Sequence, residues 1–183
     1  LLGLEVGSKP ELIAVLSIHD TPNALLLCNG YKDAEYIEIA LLATKVGRRS
    51  IIIIEQFYEL QLVLDIAKKL NVEAEIGFRM RPFNKGSGRW NSSGGDMAKF
   101  GLSSHEIVQG IELLKANNKT GWVKLLHFHL GSQIPTIASI KKALGEAARM
   151  YTELARECPQ ISFFDVGGGL GVGAFRVLEL FGE

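Results

Sequence analysis

The sequence predicts an α/β fold made of about six consecutive βα units, a partial (β/α)8 TIM-type barrel. Three observations carry that reading. Short apolar runs alternate with stretches of helical periodicity, and no linker interrupts them. Runs such as Ser50–Ile54 are too apolar for a sheet with one wet face, as parallel strands covered on both sides must be. The residues with chemical potential stand directly after those runs, where a barrel gathers its functional groups. Six units are two short of closure, and a doubly wound sheet stays open on the same pattern.

The elements follow in order. Leu4–Val6 is the first strand, and Ser8-Lys9-Pro10-Glu11 opens a helix with capping-box spacing and proline in its first turn. Ala24–Cys28 is the second strand, closed by a turn at Asn29-Gly30. Ile37, Ala40, Leu41 and Thr44 then mark one helix face, and the helix stops at Gly47. Ser50–Ile54 is the third strand, Leu60, Val63, Leu64 and Ala67 the next helical stripe, and Glu75–Met80 the fourth strand. From Arg81 to Ala98 a glycine-rich loop breaks the rhythm, at a length more common in functional segments than in connectors. Ser103-Ser104-His105-Glu106 caps a helix carrying Ile107, Ile111 and Leu114. Val123–His129, a helix through Ile137, Ile140, Leu144, Ala148 and Tyr151, and a sixth strand at Ile161–Val166 complete the pattern.

Composition narrows the function classes. The 183 residues suit one domain with a substantial core, and 20 basic against 20 acidic residues imply no broad field for nucleic acid or an anionic membrane. Two cysteines, Cys28 and Cys158, make a poor disulfide framework and suit a reducing, cytoplasmic compartment. No signal peptide or membrane span is read from the first residues.

The chemistry concentrates in two stretches. Phe128–Pro135 (FHLGSQIP) follows the fifth strand and offers the imidazole of His129 and the hydroxyl of Ser132. Phe164–Gly171 (FDVGGGLG) ends the sixth strand in Gly167, Gly168 and Gly169, whose bare N–H groups can close on an anion. A flat ring needs a stacking partner and a phosphate needs a nest, so the pair points to a phosphorylated aromatic cofactor. Glu5 and Arg79 lie on the same predicted rim. Each of these residues has a bland alternative as a solvated acid, a paired arginine, a structural histidine or a turn glycine; their convergence is the argument. His127 and His129 alternate onto one strand face as a metal-binding pair does, but no second cluster supplies further ligands. Gly169–Ala174 fits the dinucleotide pattern G-x-G-x-x-A of a nucleotide-binding α/β domain, whose supporting acid about twenty residues on would lie beyond the last residue.

These stretches resemble the PLP-dependent decarboxylases of the alanine racemase-like barrel, fold type III, the family of ornithine, diaminopimelate and arginine decarboxylases. The resemblance implies that His129 stacks on the pyridine ring, Ser132 bonds the phosphate, and Gly167, Gly168 and Gly169 form the phosphate loop. It puts Arg79, in Phe78–Pro82 (FRMRP), against the ring, with Glu5 as the acid near it. Gly3–Leu12 (GLEVGSKPEL), Leu27–Asp33 (LCNGYKD) and the Gly-Ser-Gly-Arg-Trp of the long loop are similar to the arginine decarboxylase branch. That branch converts L-arginine to agmatine and carbon dioxide, a step toward polyamines such as spermidine. The resemblance also implies magnesium and a homo-oligomeric parent, with arginine as the small-molecule partner. It runs from about Gly3 to Val172, which makes 1–172 a partial PLP-binding barrel and 173–183 a divergent tail. The family's Schiff-base lysine lies on a strand before Glu5, so Lys9 and Lys32 are not expected in that role. Its pyridinium-pairing acid and C-terminal β domain lie after the glycine loop. The chain is therefore expected to be a fragment, inactive by itself. An ornithine or diaminopimelate enzyme, or a non-catalytic phosphate-ligand remnant, is the alternative.

Overall fold

Six strands pair side by side in the order in which the chain makes them, every neighbour parallel. They are β1 (Leu4–Val6), β2 (Leu25–Cys28), β3 (Arg49–Ile54), β4 (Glu75–Met80), β5 (Val123–Phe128) and β6 (Phe163–Asp165). The computed structural model describes residues 3–82, 100–134 and 136–169. Most of the predicted 81–98 loop, the 173–183 tail and all of Gly169–Ala174 after its first residue lie outside them.

Five helices connect the strands: α1 (Lys9–Ile18), α2 (Ala34–Lys45), α3 (Phe57–Leu70), α4 (Ser104–Ala116) and α5 (Ile137–Glu157). Their starts follow from local chemistry. Asp33 accepts from the Tyr36 N–H at 2.8 Å to open α2. Ser103 and Glu106 satisfy each other's backbone N–H groups at the start of α4. At α1 the expected box is shifted, because Glu11 reaches past Ser8 to the Gly7 N–H at 2.7 Å. β6 is shorter than the predicted Ile161–Val166, and β5 ends at Phe128, leaving His129 just beyond the ladder.

Alternation along the strands sorts the side chains onto two faces. Val6, Leu26, Cys28, Ile52, Ile54, Ile76, Phe78, Met80, Leu126 and Phe128 pack with residues of all five helices in one core. The opposite face carries a narrow apolar band of Ile51, Ile53 and Leu125, joined by Leu25, Leu27 and Phe163. Helices on one face and strands in unbroken sequential order overturn the doubly wound alternative, which needs helices on both faces and a reversal of strand order. The fold is an arc of a (β/α) barrel, with the helices outside.

One irregularity matters for the site. Between β4 and β5 the register shifts, with Ile76 opposite Val123 but Gly77 opposite Leu125. The extra residue, Lys124, is a bulge. It leaves His127 opposite Arg79, both on the inner face. Below the apolar band Arg49 pairs with Glu75 at 2.9 Å and lies over the Phe163 ring. Among the described residues no helix is long and apolar enough to cross a membrane. Both cysteines are free and buried, and burial pushes their thiols up to about 12 for Cys28 and about 11 for Cys158.

Candidate functional site

The C-terminal ends of the strands open into a cavity of about 530 Å³, within the range of small-molecule sites. Every described strand sends a residue to it: Glu5 from β1, Asn29 after β2, Glu55 after β3, Arg79 from β4, His127 and His129 at β5, and Asp165 at β6. Gly167 and Gly168 close one side. Five of the seven residues singled out from the sequence thus line one cavity: Glu5, Arg79, His129, Gly167 and Gly168. Ser132 and Gly169 do not line it. Ser132 is exposed on the loop after β5, and that loop packs against Gly169, whose carbonyl accepts from the Ile134 N–H at 2.9 Å.

The glycines are required by close approach. Gly167 and Gly169 have φ of 65° and 88°. A methyl group on Gly167 would come within 2.7 Å of the Phe128 carbonyl oxygen, and one on Gly169 would overlap that of Gly131. Asp165 fastens the near end, its Oδ1 accepting from the Gly167 N–H at 2.9 Å. The Gly167 N–H is therefore engaged by Asp165.

The remaining groups form two charged sets. Glu55, 1% exposed, receives the Arg79 guanidinium at 2.9 Å on Oε2 and the Gly30 N–H at 2.7 Å on Oε1. The Phe100 ring covers the guanidinium 5.7 Å away. Across the cavity His127 Nδ1 lies 2.8 Å from Asp165 Oδ2. Burial alone would favour the neutral Asp165 acid, but His127 and the Gly167 N–H hold its carboxyl below the usual range. His129 is shifted the other way: burial, then the positive Arg79, pushes its imidazole down and keeps it neutral near pH 7. The Asn29 side-chain amide donates to Glu5 while its Oδ1 stays buried without a partner.

Sequence reasoning missed Asn29, Glu55 and Asp165 as cavity residues, and weighed His127 only as a metal ligand. The rule that selected Glu5 and Arg79 would have found Asn29, which follows β2 immediately. Among the described residues no group of three or more His, Cys, Asp or Glu side chains could hold a metal ion. No lysine lines the cavity among the described residues. Lys9 pairs with Asp33 and Glu35, and Lys32 is buried against Glu59, where burial pushes the amine down and the acid up.

A phosphorylated ring fits this cavity on its own geometry. A glycine loop closed to a side chain at Gly167, a neutral half-buried imidazole, and the polar side chains of Asn29, His127 and Asp165 all line it. Comparison with known proteins agrees. Residues 2–176 match the family model described as pyridoxal-dependent decarboxylase, pyridoxal binding domain. The chain is 47% identical over 171 residues to the biosynthetic arginine decarboxylase of Bacteroides thetaiotaomicron, covering 93% of this chain and 27% of that protein. It is 50% identical over 170 residues to that of Gloeobacter violaceus, covering 93% and 26%. The crystal structure of the biosynthetic arginine decarboxylase of Campylobacter jejuni superposes with a TM-score of 0.80 at 38% identity, over 93% of this chain and 27% of that one. Diaminopimelate decarboxylase of Helicobacter pylori, in complex with L-lysine, gives 0.76 at 29%, over 93% and 42%. The chain thus spans about a quarter of the length of the arginine decarboxylases it matches, and it belongs to the pyridoxal-dependent decarboxylase family, within that family's pyridoxal-binding domain.

Proposed function

We propose that this chain forms the cofactor-facing rim of a PLP-dependent arginine decarboxylase, which converts L-arginine to agmatine and carbon dioxide on the route to polyamines such as spermidine. The observation that carries the reading is the convergence of Glu5, Arg79, His129, Gly167 and Gly168 on one cavity, in a chain about half identical to arginine decarboxylases. When bound, PLP supplies the electron sink for the carbanion left as carbon dioxide departs.

The residues of this chain bind and orient. His129, neutral and half-buried, offers a flat uncharged face for stacking. Gly168 and Gly169 offer the N–H groups for the phosphate, because that of Gly167 is taken by Asp165; Gly167 contributes the close approach. Ser132, exposed beside Gly169 and off the cavity wall, would add its hydroxyl to the outer side of the phosphate. Arg79 presents its charge to the ring already half-neutralised by Glu55, which lowers the cost of covering it. Glu5, tied to Asn29, gives the cavity an acid on its far wall.

The reading extends to a homo-oligomeric, cytoplasmic parent enzyme, and to a chain that is not competent alone because no lysine reaches the cavity from the described residues. Assay of the full-length protein against arginine, ornithine and diaminopimelate tests the substrate, with agmatine as the expected main product. A preference for ornithine or diaminopimelate overturns the assignment. Borohydride reduction of the isolated chain with PLP should leave no adduct on a specific lysine; a single mapped adduct together with agmatine production would refute the inactive-alone reading.

A further inference from the structure

We propose that Lys32 and Glu59 are positioning residues that aim Arg79 at the cavity through a closed ring of hydrogen bonds. Both side chains are fully buried, 0% exposed, and neither lines the cavity. A buried ion pair seldom exceeds an apolar pair of the same volume in stability, so its occurrence in a packed core asks for another role.

The connections supply one. Lys32 Nζ donates to the Gly30 carbonyl at 2.6 Å, and the Gly30 N–H donates to Glu55 Oε1 at 2.7 Å. The Glu55 N–H donates to Glu59 Oε2 at 2.8 Å, and Glu59 Oε2 meets Lys32 Nζ at 3.3 Å, which closes the ring. Glu59 also accepts from the backbone N–H groups of Lys32 at 3.1 Å and Gln56 at 3.3 Å, so it clamps the segment after β2 to the segment after β3. Glu55 is the member that reaches the cavity, through Oε2 to Arg79. Glu55 is therefore held at both ends, its backbone by Glu59 and its carboxylate by the glycine that Lys32 grips. Arg79 takes its direction from a carboxylate with no freedom to follow it.

The inference deepens the cofactor reading, and only one arm of its test rests on that reading. The protein is the full-length chain carrying Lys32→Met with Glu59→Gln, a neutral pair in which the amide oxygen still accepts from the backbone. Circular dichroism and the thermal midpoint establish that it folds. The first arm follows phenylglyoxal modification of Arg79 by peptide mapping, without cofactor. Released from its guide, Arg79 should react several-fold faster than in the parent; an unchanged rate overturns the proposal. The second arm titrates PLP by absorbance into the parent, the double variant, Arg79→Gln and the triple variant. The double substitution should weaken PLP binding about tenfold when Arg79 is present and less than about twofold in the Arg79→Gln background, the signature of coupled residues. Equal weakening in both backgrounds would mean general loosening and refute a positioning role. A parent that takes up no PLP would sink the cofactor reading, while the modification rate still decides this one. Should the double variant not fold, Lys32→Arg keeps the charge but displaces the Gly30 contact, and it is put through both arms with the same expected directions.

Discussion

The two faces of the sheet are built on different principles. Outward-facing residues of the strands join all five helices in one apolar core, where Ile52, Ile54, Phe78 and Leu126 are interchangeable in kind. Inward-facing residues form only a thin band of Ile51, Ile53 and Leu125, set between the Arg49–Glu75 pair below and the polar rim above. The outer face is energetic and tolerant of chemistry as long as volume is kept. The inner face is geometric, and its value depends on which atom each side chain offers. The difference explains how a glycine-rich, charge-lined rim can be carried without loss of the fold: its cost is met on the other side of the same strands.

Perturbing each face in turn separates these roles. The largest effect is expected from Phe78→Ala, which empties a fully buried outer position packed under Gly110 of α4. It should cost about 3–5 kcal/mol in denaturant unfolding of the full-length protein, with PLP affinity intact in whatever stays folded. A loss below about 1 kcal/mol would mean the outer core does not carry the fold. Glu55→Gln should show the reverse profile. It weakens a charged contact to Arg79 and one to Gly30, an expected loss of about 1.5–3 kcal/mol, with PLP affinity falling alongside. Unaltered PLP affinity would remove Glu55 from the functional rim. Ser103→Ala, on the helix side, breaks one half of the α4 capping box and should cost about 1 kcal/mol without touching the cofactor.

The smallest effect is a pH dependence confined to the inner face. The native His129 sits below its ordinary value because burial and Arg79 disfavour its proton. Its contribution is fully present above the unfolded value of about 6.5 and is lost as pH falls from there toward the native one. Asp165, also depressed, adds a second loss at lower pH, as acid falls through its native value. Denaturant midpoints between about pH 7 and 5 should decline in the parent and flatten in His129→Gln. Identical slopes would show that His129 is not perturbed as its surroundings imply.

Much of the arc was legible from the sequence, because buried parallel strands must be continuously apolar and amphipathic helices must show their period. Of the site, the residues legible in advance were those whose type alone suggests a ligand: an imidazole, an arginine, consecutive glycines. Glu55 was not, because Ile54-Glu55-Gln56 reads as the start of a helix, and only β4 lying beside β3 gives that carboxylate its arginine. Lys32 and Glu59 were invisible for the same reason. Each looks like a surface charge on its own segment, and their burial is a product of two segments meeting. Ser132 was placed by resemblance to a motif, and the fold holds it outside the cavity wall, since the loop turns it to solvent.

The bulge at Lys124 makes the cavity a matter of counting. With it, Leu125 and His127 face inward opposite Gly77 and Arg79. Were the bulge flattened with every residue kept, Leu126 would oppose Arg79, and His127 would point among the helices, where an imidazole has no partner. Every amino acid that carries the site after β4 would still be present, in the same order, and the site would be gone. Loss of Lys124 itself would straighten the ladder with His127 still opposite Arg79, so what the site depends on is that the extra residue stays out of the pairing. Counting β5 against β4 residue for residue, without skipping that position, assigns the histidines to the wrong side of the wall.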